Sequence, residues 1–135
     1  MAGNGNGCRS LSPKTREDWT KNLNNVLSTS HGREHFHRFL ETTKLKDKLD
    51  TLIFWGKCDQ YINTPRDERS NEMIRDIQQF AEDEDVNFNI GELRRLWAID
   101  VNNHENTVEV LEQAKQSAFN SLCDIYILFC KHLVL

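Results

Sequence analysis

The sequence predicts an all-α domain. Apolar residues recur at helical spacing along most of the chain, and turn punctuation is scarce. After the first seven residues only Gly32, Gly56 and Gly91, with Pro13 and Pro65, interrupt a chain of 135 residues. A strand-rich domain of this length needs far more turns, and no internal repeat is evident.

The elements follow in order. Residues 1–15, where Gly3, Gly5 and Gly7 alternate with Asn4 and Asn6, read as a flexible tail, and residues 16–135 as one domain. Trp19, Leu23, Val26 and Leu27 place one apolar stripe on a helix over about 16–28. Gly32 is expected to start the next helix, which carries Phe36, Phe39 and Leu40. Leu49, Leu52, Ile53, Cys58 and Ile62 predict a long third helix, and Phe54, Trp55 and Tyr61 make it apolar nearly all round. Such a helix is central to a fold.

Thr64-Pro65 breaks and restarts the chain. Met73, Ile74, Ile77, Phe80 and Ala81 form the next stripe, ending in the acidic run Glu82 to Asp85. Asn87 to Asn89 reads as a connection before Ile90, Leu93, Leu96 and Trp97 on a further helix. Val101 to Asn106 reads as a loop. Val108, Leu111, Ala114, Ala118 and Leu122 then run at helical spacing. Asp124 is placed to cap a separate last helix with Ile125, Leu128, Phe129 and His132.

Composition excludes several classes. A formal charge of −4, from 17 basic and 21 acidic residues, leaves no electrostatic footprint for nucleic acid. No uncharged apolar run reaches the roughly 18 residues of a membrane span. The N-terminus lacks the apolar region of a secretory signal. Cys8, Cys58, Cys123 and Cys130 are widely spaced, and no Asn-x-Ser/Thr acceptor occurs. A reduced, cytoplasmic protein is the expectation.

Catalytic chemistry is equally thin. His31 and His35 are four residues apart, a spacing that can ligate zinc on one helix. With Gly32 as the helix start, His31 falls outside that helix, and solvated histidines are the better reading. There is no HExxH, no GxSxG elbow and no phosphate loop. The run from Glu82 lacks the glycine and spacing of a calcium loop. Neither a catalytic site nor a metal or other cofactor is expected. A helical domain of this kind works by presenting a surface to a protein partner.

Five ordered blocks resemble the RGS-homology domain. Trp19, Leu23, Val26 and Leu27 are similar to its W-x3-L-x2-LL. Gly32, Phe36, Phe39 and Leu40 resemble G-x3-F-x2-FL. Asp50 to Cys58 is similar to E-N-[IL]-x-F-W-x2-C. Leu111 to Lys115 resembles F-D-x-A-Q, and Cys123 to Leu128 resembles S-D-x-Y-L. The resemblance implies a four-helix bundle joined to a subdomain formed by both chain ends. It also implies acceleration of GTP hydrolysis on heterotrimeric Gα subunits, whose switch segments the family holds in place without an arginine finger.

Within that resemblance two features differ. The family's asparagine, which orients the catalytic glutamine of Gα, falls at Thr51, and the preceding glutamate at Asp50. A threonine hydroxyl lacks the paired donor and acceptor of an amide. A second family asparagine is matched by Asn87. Between the helix at Asn120 and Asp124 the family's Y-x2-F-L turn is missing, so the last two helices are expected to be fused or repacked.

The branch lacking the asparagine includes axin, and Asp50 to Cys58 and Cys123 to Tyr126 resemble the axin type. That resemblance implies an adenomatous polyposis coli type repeat peptide as partner, bound in a groove that includes the Gly32 helix, with His35 at a position usually apolar. His35, Asp50, Thr51, Asn87 and Asp124 are the candidate partner-binding residues. The implied role is a non-catalytic scaffold domain in Wnt/β-catenin signalling. Gα activation is the alternative.

Overall fold

The computed structural model describes residues 11–84, 90–100 and 102–134. Asn87 and Asp85 lie outside the described residues. Seven α-helices are described: α1 Pro13–Lys21, α2 Leu23–Leu27, α3 Ser30–Thr42, α4 Lys46–Asn63, α5 Asn71–Asp83, α6 Ile90–Trp97 and α7 His104–Val134. A 3₁₀ turn occupies Arg66–Glu68, and there is no strand among the described residues. The all-α expectation holds. No helix among these residues is long and apolar enough to cross a membrane.

The chain divides into two compact units. One combines the described residues up to Leu45 with those from Cys123 onward; the other is Lys46–Leu122. This is the expected pairing of a middle bundle with a subdomain drawn from both chain ends.

In the unit of both ends, capping fixes the helix starts. Ser12 Oγ accepts from the Thr15 N–H at 3.1 Å, and Pro13 occupies the first turn, where its missing N–H costs nothing. Leu11 is buried as well, so residues 11–15 of the expected tail are core and helix. The single helix expected over 16–28 is broken at Asn22. Its backbone is extended, and its Oδ1 accepts from the Asn25 N–H at 2.8 Å. An asparagine side chain competes with the helix for backbone partners, and here it wins. Asn25 returns a hydrogen bond to the Asp18 carbonyl at 2.8 Å, satisfying one of the four open acceptors at the end of α1.

Thr29 caps α3 by accepting from the Gly32 N–H at 3.0 Å. Gly32 is therefore inside the helix, and so is His31; the expected start was two residues late. The glycine has a different reason. A Cβ at position 32 would collide with the Val26 backbone carbonyl, so only glycine lets α2 and α3 approach. Phe36 and Phe39 pack on Phe129 with ring centroids 4.9 and 5.4 Å apart. α3 ends on Lys44, whose φ of 60° is left-handed. The Leu45 and Lys44 N–H groups close back onto the Leu40 and Glu41 carbonyls at 3.1 and 3.2 Å, a Schellman closure without its usual glycine.

In the unit Lys46–Leu122, α4 is apolar on most sides, as expected. It buries Leu52, Phe54, Trp55, Cys58 and Tyr61. Arg69 seals its end: Nε donates to the Tyr61 and Thr64 carbonyls at 3.1 and 2.9 Å, and Nη2 to Ile62 at 2.9 Å. Ser70 caps α5, which buries Ile74, Ile77 and Ala81. Gln78 donates to the Leu96 carbonyl of α6 at 3.0 Å. Trp97, expected on the α6 stripe, is instead exposed.

α7 begins at His104, inside the segment expected to be a loop. It runs 31 residues without interruption, so the last two helices are fused. Asp124 is an exposed residue in its interior and caps nothing. The reason lies in the stripe. Leu111, Ala114, Ala118, Leu122, Ile125, Phe129 and Leu133 are all buried at unbroken helical spacing, and no glycine or proline intervenes.

Candidate partner-binding site

Two groups of candidate residues lie in different units. Asp50 and Thr51 belong to α4, while His35 on α3 and Asp124 on α7 belong to the unit of both ends.

Thr51 is only 2% exposed. Its Oγ1 donates to the Asp47 carbonyl one turn back at 2.7 Å. That hydroxyl is spent on its own helix. Asp50 is also buried, and its Oδ2 accepts from Lys46 Nζ at 2.7 Å. Lys46 lies on the exposed side, 3.6 Å from Glu84 Oε1. The pair is thus an interior carboxylate held by a cation at the surface, a way to bury a charge without leaving it uncompensated.

Farther along α4, Lys115 Nζ sits 2.7 Å from Asp59 Oδ1 and 4.9 Å from the centre of the Trp55 ring. Lys57 makes the same kind of double contact, 2.7 Å from Asp76 Oδ2 and 5.3 Å from the Phe80 ring centre. Burial pushes the Cys58 thiol well above the ordinary thiol range, against a smaller opposing pull from Lys115. It is a packing group, not a nucleophile.

The face of α3 is different in kind. His31 and His35, inside one helix, lie on the same side with ring centroids 4.8 Å apart. Both meet the buried Trp19 ring of α1, at 5.1 and 5.2 Å. Trp19 supplies the apolar floor, and the two imidazoles reach towards solvent as donors and acceptors. Burial holds the His35 imidazole below the ordinary histidine range. His31, Arg38 and His132 push the same way, and Glu34 opposes them. At neutral pH His35 is therefore an uncharged, half-buried ring on an aromatic patch.

Sequence reasoning selected His35 and missed its companions. The four-residue spacing of His31 and His35 is the available signal, and the true start of α3 at Ser30 is what puts both on one helix. The pairing with Trp19 had no signal in local sequence. Among the described residues no group of three or more His, Cys, Asp or Glu side chains could hold a metal ion.

Comparison with known families agrees with the all-α fold. The family model described as the regulator of G protein signaling domain matches residues 22–132, most of the chain. No curated protein and no solved structure gives a significant match.

Proposed function

The chain belongs to the RGS domain family, the regulators of G protein signaling, and from that premise we propose that it is a non-catalytic recruiting module of an axin-like scaffold. Its partner is an adenomatous polyposis coli type repeat peptide, and its setting is cytoplasmic Wnt/β-catenin signalling. Membership of the family makes it a domain for G-protein signalling or protein interaction. The choice between these rests on Thr51. At the position where the resemblance places the Gα-orienting asparagine, this chain has a buried hydroxyl committed to the Asp47 carbonyl. Such a group does not reach a glutamine on another protein. The uninterrupted α7 supports the same choice, since it runs through the place of the missing Gα-contacting turn.

In this reading the Trp19, His31 and His35 patch receives the peptide, with His35 as the contact residue. Isothermal titration of the chain with repeat peptides tests it. Binding tighter than ~100 μM, about −5.5 kcal/mol, that weakens on His35→Ala supports the reading; no heat at that concentration rejects it.

The family match favours one second reading, activation of a Gα subunit. A single-turnover GTP hydrolysis assay separates the two. Acceleration that disappears on Asn87→Ala establishes the activator.

A further inference from the structure

The last turns of α7 carry an apolar seam along the flank of the helix beside its buried stripe. Cys123 and Ile127 are exposed, Cys130 is half-buried and Val134 is exposed. Ile127 and Val134 are 65% and 68% exposed, and the neighbouring Leu128 50%. The core residues Leu122, Ile125, Phe129 and Leu133 form that stripe. The seam residues are separated by steps of four, three and four, the spacing of a coiled-coil contact line. That order of steps is the same read forward or backward. Two copies of the helix laid antiparallel therefore match position for position, with Ile127 of one opposite Cys130 of the other and Cys123 opposite Val134.

Charge selects the same arrangement. Asp124 and Lys131 follow Cys123 and Cys130 on one flank of the seam, two turns apart. Both are exposed. An antiparallel pair sets each Asp124 beside the Lys131 of the other copy, twice by symmetry, whereas a parallel pair does not. We infer that this face binds a second copy of the chain, in an antiparallel two-fold contact along Cys123, Ile127, Cys130 and Val134. The inference does not depend on the peptide-binding reading, which uses a different face.

The seam is short, about 16 Å from its first to its last residue. It falls in the small, weak class of interfaces, below about 1,200 Å². The helix is already folded, so association costs little ordering.

Sedimentation velocity of the whole chain under a thiol reductant, from ~10 μM to ~1 mM, tests the contact. A dimer that grows with concentration is expected. Ile127→Glu, at an exposed site that leaves the helical circular dichroism unchanged, should return the chain to monomer. Asp124→Lys should weaken the dimer about fivefold, and adding Lys131→Asp should restore it. A monomer at all concentrations overturns the inference, as does a dimer indifferent to Ile127→Glu. Failure of the double charge reversal to restore association overturns the antiparallel register.

Discussion

The hydroxyl of Tyr126 donates to the backbone carbonyl of Trp19 at 2.6 Å, although 107 positions separate the two residues in sequence. The bond joins the last helix to the first and satisfies an acceptor that the end of α1 leaves open.

Tyr126→Phe keeps the ring and removes only that donor. The expected cost is about 1 kcal/mol, seen as a drop of roughly 3 °C in Tm. Burial, followed by the hydrogen bond to Cys130, pushes the Tyr126 hydroxyl above the ordinary tyrosine range. The folded chain thus holds this proton more tightly than the unfolded chain. The contribution is complete below about pH 10 and is lost as pH rises above it. Alkaline melts of the wild type should therefore fall more steeply than those of Tyr126→Phe.

His35 has the opposite sign. Its folded form releases the proton more readily, through burial first and then His31, Arg38 and His132, against Glu34. Its contribution is present above about pH 6.5 and is lost as pH falls below that value. Thermal melts between pH 7.5 and 5.5 should show a smaller acid loss for His35→Gln than for the wild type.

Lys44 ends α3 in a left-handed conformation that glycine adopts without penalty. Lys44→Gly should stabilise the chain by about 1 kcal/mol, measured by urea denaturation. No gain in midpoint would mean that the lysine side chain compensates for its backbone.

Arg69 is the converse case. Its guanidinium serves three carbonyls at the end of α4 and lies 5.1 Å from the Tyr61 ring centre. Arg69→Met preserves the stem and removes the donors. A loss of about 2 kcal/mol is expected from charged hydrogen bonds of this kind. Arg69→Lys should recover only part of it, since an ammonium lacks the planar fork.

These positions show where sequence reasoning reaches its limit. The stripes of α4, α5 and α7 were legible because apolar burial repeats with the helix, and the family blocks rest on those stripes. Breaks were harder. Asn22 interrupts a stripe whose apolar phase continues through it, because one side-chain oxygen outweighs the local periodicity. Asp124 carried the residue type of a cap in a helix that never stops, since Leu122 and Ile125 stay in phase on either side of it. At Gly32 the glycine answers to the Val26 carbonyl of the preceding helix and not to a helix start, which displaced His31 from its true place. Arg69 belonged to no pattern and Tyr126 only to a family block that named no partner for it, because their partners are carbonyls that only the folded chain brings near.

One unit is built from both ends of the chain, and that ordering acts during synthesis. The middle segment Lys46–Leu122 is synthesised whole before Phe129 is added. The helices α1 to α3, translated before α7, must wait with Val26, Leu27 and Phe36 incompletely covered until the final turns of α7 emerge. Val26, Leu27 and Phe36 are thus made before the helix that covers them, and they stay open to misfolding for that interval.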